Sequence, residues 1–426
     1  MALAAIVIFV GAYALLITER VHRTKVALGG AALMLLLHIM DAETAFHDVH
    51  AGIDWNVIFL LLGMMVIVSI MRLTGVFEFL AIWAAKRAGG KPYRLMVMLC
   101  VITAVASALL DNVTTILLIA PVTFLVCDRL GLRVAPFLIA EVLVSNIGGA
   151  ATLVGDPPNI IIASRADLSF NDFLVHMAPI ALLLIVVFLG MCRMLFRKDF
   201  VFDAERAAGV MALNEREAIN DTRLLVQSLL VLALVLTAFI LHPVLHYEPS
   251  IVALLGAGLL ILITRVEMDD ALHDVEWSTL VFFAGLFIMV GGLVETGVIG
   301  DLSQAAVNWT DGRLGFASYL LLGGSAGLSA IIDNIPYVAT MSPIVSELVA
   351  EHPGESGQVL WWALALGADL GGNATAIGAS ANVVALGIAD RNGHHISFWE
   401  FTKYGLIVTV VTVALCVPYI GLRYLM

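Results

Sequence analysis

The sequence predicts an all-α polytopic membrane protein built as an inverted repeat, each copy giving five spans plus one re-entrant hairpin, with discontinuous helices. Three observations carry that expectation. Of the 426 residues, 61% are apolar and 13% charged, with a mean hydropathy of +1.00, whereas soluble domains hold about 45–50% apolar and about 25% charged residues. Apolar runs near the length of one membrane crossing recur along the chain. The second half also repeats the landmarks of the first.

Composition excludes as well. The balance of 22 basic against 34 acidic residues, −12, speaks against a nucleic-acid partner. Four scattered cysteines make no disulfide scaffold. No Gly-x-x-x-x-Gly-Lys-Ser/Thr motif for ATP hydrolysis occurs.

Residues 1–17 are apolar, lack a preceding basic segment and are followed by Thr18-Glu19-Arg20 rather than an Ala-x-Ala site. They read as a retained first span, not a signal peptide. Further single-crossing runs are 24–40, 55–71, 173–195, 224–241, 251–264, 277–294 and 401–422. Segments 95–127 and 316–349 are too long for one upright helix at about 1.5 Å per residue. Segments 134–164 and 359–390 are apolar but broken by Gly, Asn and Pro.

A shift of 222 residues places Trp55 on Trp277, Gly63 on Gly285, Thr74-Gly75-Val76 on Thr296-Gly297-Val298, Asp111-Asn112 on Asp333-Asn334 and Pro121 on Pro343. A shift of 223 places Gly148-Gly149 on Gly371-Gly372, Thr152 on Thr375, Gly155 on Gly378 and Asn159 on Asn382. The first repeat is therefore expected over 1–196, with scaffold spans in 2–72, a hairpin at 95–127, a broken helix at 134–165 and a last span at 172–196. A polar cytoplasmic linker follows at 197–223, then the second repeat at 224–426, with its hairpin at 315–349 and broken helix at 359–390.

Basic residues orient the chain. With the Asp-Asn segments as hairpins and the Gly/Asn segments crossing, 19 Lys and Arg fall on the cytoplasmic side and only Arg165, Arg313 and Arg423 outside. Exchanging the roles moves Arg129 and Arg133 out and weakens the split to 17 against 5. The first arrangement is preferred; it inserts the copies in opposite orientation with both termini outside. Inverted repeats with discontinuous helices are the layout of secondary transporters, whose sites sit where helices break.

Four breaks carry the chemistry. Asp111-Asn112 and Asp333-Asn334 mark the hairpin tips, where such side chains cap backbone amides. Pro336 suits a first helical position. One reading makes the aspartates turn caps alone; the other makes them functional, since a carboxyl deep in a membrane is expensive. In the broken helices Gly148, Gly149, Gly371 and Gly372 allow unwinding that exposes carbonyls, or simply close packing. Thr152, Asn159, Asn373, Thr375 and Asn382 add neutral oxygens, the ligand set of a hard cation. Asp156 and Asp369 add possible charge and proton sites. Every Lys and Arg can be placed at membrane ends or loops, so buried carboxyls would lack cationic partners and take up protons or metal cations.

Glu141, within the first arm of a broken helix, reads as a relay proton site or as a carboxyl facing water. His38, His47, His50, His394 and His395 lie near ends or in loops and suggest no metal cluster. Cys100, Cys127, Cys192 and Cys416 stand singly; three fall toward the cytoplasm, where thiolates suit As(III), but lone apolar cysteines mostly pack.

The stretches 110–115, 148–159, 333–336 and 371–383 closely resemble the ArsB/NhaD group, which includes arsenite efflux permeases and the melanosomal P-protein, within the ion transporter superfamily. The resemblance implies a transport domain of hairpins and broken helices moving against a scaffold, often in a homodimer. It implies arsenite or antimonite extrusion from the cytoplasm in exchange for protons, at the plasma (cell inner) membrane, without enzymatic activity or cofactor. Dicarboxylate carriers of that superfamily carry Ser-Asn-Thr at the tips, where Asp111-Asn112 and Asp333-Asn334 stand here. Proton coupling is expected at Asp111 and Asp333, with Asp156 and Asp369. Substrate or ion contacts are expected at Asn112, Thr115, Gly148, Gly149, Thr152, Asn159, Asn334, Gly371, Gly372, Asn373, Thr375 and Asn382. Na⁺ fits the same oxygens, so Na⁺/H⁺ antiport or permeation of another inorganic ion stays open, as does a cytosolic ATPase subunit. An intramembrane aspartyl protease using Asp111 and Asp156 would leave the second copy unexplained; a passive channel would not.

Overall fold

Inside a bilayer a segment must satisfy its own backbone amides, so apolar runs fold as helices. The computed structural model describes residues 1–18, 20–48, 51–212, 214–310, 312–352, 354 and 356–426, and within them every regular element is helical. His50 lies outside the described residues.

The first half holds α1 (Ala2–Thr18), α2 (Arg23–Leu36), α3 (Trp55–Arg72), α4 (Val76–Arg87), α5 (Pro92–Leu109), α6 (Asn112–Leu130), α7 (Val134–Gly149), α8 (Pro157–Ala166) and α9 (Ala178–Leu195). The second half holds α10 (Thr222–Ile240), α11 (Pro249–Ile263), α12 (Trp277–Glu295), α13 (Val298–Thr310), α14 (Leu314–Ser329), α15 (Asn334–Ala350), α16 (Val359–Gly371), α17 (Ser380–Arg391) and α18 (Phe398–Ile420). Among the described residues, seven helices are long and apolar enough to cross a membrane alone: α3, α5, α6, α9, α10, α12 and α18 with its continuation to Leu425. The run 24–40 is helical only to Leu36, because Ile39 and Met40 both donate their amides to the Met34 carbonyl around a left-handed His38.

Sequence duplication becomes geometric duplication at small residues. Gly75 and Gly297 both take φ +77°, turning the chain from a long helix into the short α4 or α13. A Cβ on Gly63 of α3 would lie 2.6 Å from the Ala253 carbonyl carbon of α11, and one on Gly285 of α12 would lie 2.8 Å from that of Ala27 of α2. Each half thus packs its long helix crosswise against the other half, in a contact only glycine permits.

The broken helices occupy the centre: all of α16, and α7 apart from Ala135, are buried. Apolar side chains such as Leu182, Val186, Leu230, Leu262 and Val410 stay exposed on α9, α10, α11 and α18. That much exposed hydrocarbon suits lipid rather than water. The linker docks back: Asn220 donates its amide to the Thr74 carbonyl at 2.9 Å, and Lys86 of α4 pairs with Glu215, holding that carboxyl below its usual range.

Candidate transport site at the paired helix breaks

The hairpins turn at capped helix starts. Asp111 caps α6, its Oδ1 accepting from the Thr114 amide at 2.7 Å and its Oδ2 from the Thr114 hydroxyl at 2.5 Å. Asp333 caps α15, accepting from the Ile335 amide at 3.0 Å and from the Ser380 hydroxyl at 2.6 Å. Both carboxylates are thereby engaged as caps. Pro336 stands third in α15 rather than first.

The breaks at 150–156 and 372–379 are tied in the same way in both halves. Gly148 lets α7 approach α5 so closely that a Cβ would sit 2.5 Å from the Ala104 carbonyl oxygen; Gly371 does the same against Ala326 at 2.6 Å. Ser107 donates to the Ser145 carbonyl and Ser329 to that of Ala368, both at 2.7 Å. The Thr152 hydroxyl donates to the Ala108 carbonyl at 2.5 Å and the Thr375 hydroxyl to that of Ala330 at 2.6 Å. Asn159 donates to the Thr152 carbonyl at 3.0 Å and the Gly149 carbonyl at 3.4 Å. Asn382 donates at 2.8 Å to both Thr375 and Gly372. Each break is therefore a closed loop bonded to its own hairpin. Its glycines work mainly through close packing, and its threonine hydroxyl hydrogens are already used.

Between the halves runs a chain of side-chain amides. Asn112 donates to Asp156 and to Asn146, each at 2.9 Å. Asn334 reaches both Asp156 oxygens at 3.4 Å. Asn146 donates to Asn373 at 2.9 Å and Asn382 at 3.1 Å, and Asn373 donates to the Leu143 carbonyl at 3.0 Å. Asn146 was not among the expected contacts. The shift of 223 that places it on Asp369 is the signal that could have found it. The same shift places Asp156 on Ala379, so each half supplies one central carboxyl from a different position.

Several buried oxygens in this cluster have no partner: both of Asp369, Asn159 Oδ1, Asn112 Oδ1 and the Thr115 hydroxyl. Asn159 lies beside Asp369 but directs its amide hydrogens at its own break. The four amide and carboxylate oxygens are acceptors, so what they lack is a donor: a proton, a hydroxyl or a cation.

A cavity of about 360 Å³ reaches the second tip, lined by Leu16, Arg23, Phe282, Asp333, Pro336 and Ser380. The expectation that no buried basic residue is available meets a half-buried one here, beside the second tip. The α1–α2 turn folds Arg23 inward, where it bonds the Ser380 hydroxyl, donates to Thr279 at 2.9 Å and lies 3.9 Å from Asp333. The crosswise packing of Ala27 and Ala253 aligns Arg23 with Pro249, which lines a cavity of about 100 Å³ with Asn56, Leu60 and Ile160. Glu141 does not face water; it is wholly buried. The four cysteines are buried and free, and the fold brings Cys100 against Cys192. No group of three or more His, Cys, Asp or Glu able to hold a metal occurs among the described residues.

The family described as "Citrate transporter" matches residues 13–367. An uncharacterized transporter of Mycobacterium tuberculosis is 58% identical over 425 residues, covering 100% of this chain and 99% of that protein. The 46 kDa membrane protein of Mycobacterium leprae is 58% identical over 426 residues with the same coverage. The human P protein is 37% identical over 496 residues, spanning 97% of this chain but 59% of that protein. In fold, the chain is similar to the Alcanivorax borkumensis YdaH transporter, whose crystal structure has an unusual topology, with a TM-score of 0.65 at 14% identity over 94% of this chain and 98% of that one. The chain is thus a multi-pass transporter of the plasma membrane, not an enzyme, and it belongs to the citrate transporter family.

Proposed function

We propose that this chain is a proton-coupled antiporter that extrudes arsenite or antimonite, within the ArsB/NhaD group. The supporting observation is the cluster of buried acceptor oxygens around Asp156 and Asp369, to which no Lys or Arg side chain bonds among the described residues. Arsenite near neutral pH is an uncharged trihydroxy solute. Its hydroxyls supply the donors that Asn112, Asn159 and Asp369 lack, and protons supply them in its absence. Exchange follows because the same acceptors serve both occupants in turn.

In this reading the hairpins and broken helices, α5–α8 and α14–α17, move against the scaffold α1–α3 and α10–α12. The larger cavity, beside Arg23, opens to the cytoplasm and its smaller counterpart beside Pro249 faces outside. Asp156 and Asp369 carry the protons. Asp111 and Asp333 shape the tips, which departs from an equal proton role for all four.

A second reading is an anion permease, citrate being the family's namesake. Arg23, with its guanidinium on the cavity wall, favours it. Na⁺/H⁺ exchange is the third occupant compatible with an oxygen-only cluster.

Proteoliposomes with an imposed pH gradient separate these. Arsenite flux that is driven by the gradient and persists without Na⁺ supports the antiporter. Citrate flux that competes with no arsenite flux would replace it with the anion reading, and Na⁺-dependent proton flux indifferent to arsenite with the third.

A further inference from the structure

One buried carboxyl lies outside the break cluster. Glu141, in the middle of α7, is 0% exposed. Its Oε1 accepts from the Thr123 hydroxyl of α6 at 2.6 Å, and its Oε2 has no partner. No charged side chain of the helices packed on α7, namely α5, α6, α9, α16, α17 and α18, bonds to it among the described residues. The titratable groups within electrostatic reach are thiols: Cys127 of α6, and Cys100 of α5, which itself meets Cys192 of α9. On α16 the titratable group is Asp369, which belongs to the cluster; Asp390 and Arg391 end α17, and Glu400 and Lys403 begin α18.

The duplicated half serves as an internal control. The repeat shifts place Glu141 on Leu364 and Thr123 on Val345, both wholly buried. Hydrocarbon fills the same packing position there, so the fold does not need a carboxyl. Burying one without a counter-charge is costly, and such a group in a membrane is functional by default.

We propose that Glu141 is a second proton-binding site, serving the cytoplasmic side of the break cluster. The step is protonation of the carboxylate at Oε2, the oxygen without a partner, while Oε1 keeps its bond from Thr123; deprotonation returns the proton to water. Glu141 lies five residues before Asn146 on one helix, about 7.5 Å along the axis, toward the end that begins at Arg133. It is thus placed between the cytoplasmic end of α7 and the amide chain that reaches Asp156, a position with no counterpart on the outer side. The role as a relay rests on the antiport reading above; the proton site itself does not.

Glu141→Gln preserves volume and the acceptor for Thr123 but cannot bind a proton. In the purified full-length chain, infrared difference spectra between acidic and alkaline buffer should contain a carboxylic-acid band that vanishes in Glu141→Gln and survives in Asp156→Asn. The double variant Glu141→Leu with Thr123→Val, which copies the second half, should fold and lose the same band. In proteoliposomes Glu141→Gln should slow pH-driven exchange at least fivefold while equal-pH exchange of arsenite stays within twofold. A band unchanged in Glu141→Gln overturns the site. Normal pH-driven exchange in that variant removes the relay and leaves the antiport reading standing. A band assigned to Glu141 in a wild-type chain that moves no protons with any cargo keeps the site and sinks the antiport reading.

Discussion

Asn334, the first residue of α15, donates to both oxygens of Asp156 at 3.4 Å, so the second hairpin tip closes on the break of the first half. Asn112 of the first tip donates to the same carboxyl at 2.9 Å. Asp156 is therefore the point where both tips converge, and its charge state is felt by both halves.

This makes the two central carboxyls differ in their response to neutralisation. Asp156→Asn would turn an amide group toward the donors of Asn112 and Asn334, leaving a buried donor unpaired at about 1–3 kcal/mol. Neither Asp369 oxygen accepts a hydrogen bond, the neighbouring Asn159 amide being turned to its own break, so Asp369→Asn should fold without loss. Both should lose pH-driven exchange at least tenfold. Thermal unfolding in detergent, read beside transport, checks the split.

The tip aspartates should behave as caps. Asp111→Asn retains an acceptor for the Thr114 amide and should keep more than half of wild-type exchange. Asp111→Ala removes the cap and should destabilise by about 0.5–2 kcal/mol. Loss of all proton coupling in Asp111→Asn, at normal stability, would return Asp111 to the proton path.

Close helix approach gives a third expectation. Gly148→Ala and Gly371→Ala place a methyl 2.5 and 2.6 Å from the carbonyl oxygens of Ala104 and Ala326. Backbone must shift, at a cost of about 1–3 kcal/mol. Gly258→Ala, with nothing within 4 Å of the new Cβ, is the control. A melting temperature unchanged in the first two variants would contradict the packing account.

Arg23, at the start of α2, bonds Ser380 of α17 and Thr279 of α12 and lies beside Asp333 at the second tip. Arg23→Gln should shift the population away from the state with the cavity open at Arg23. An Ile332→Cys reporter in that cavity should then react with a membrane-impermeant thiol reagent at least twofold more slowly. An unchanged rate would show that Arg23 does not hold this conformation.

Much of this architecture is legible in the chain because the duplication preserves Gly, Asn and Asp at fixed spacing. The four breaks follow from Asp111-Asn112, Asp333-Asn334 and the two Gly pairs, since Asp caps the helix that follows and Gly admits the close approach of neighbouring backbone. What the sequence could not divide is labour among polar groups. Asp111 and Asp156 look alike in a string, but one is consumed by the Thr114 amide and hydroxyl and the other is shared by two asparagines. Thr152 and Thr375 read as ligands, yet their hydroxyls bond hairpin carbonyls. Arg23 reads as a loop residue because its contact partners, Thr279 and Ser380, lie more than 250 residues away.

In the proposed exchange, one cluster of acceptors around Asp156 and Asp369 alternates between protons and arsenite. Its most direct measurement records both fluxes together, in proteoliposomes with a trapped pH dye and labelled arsenite. Protons and arsenite should move in opposite directions, at a fixed ratio, uphill for arsenite under the gradient, and this exchange should be abolished in Asp369→Asn. Arsenite movement that ignores the gradient, or coupled exchange that survives Asp369→Asn, would contradict it.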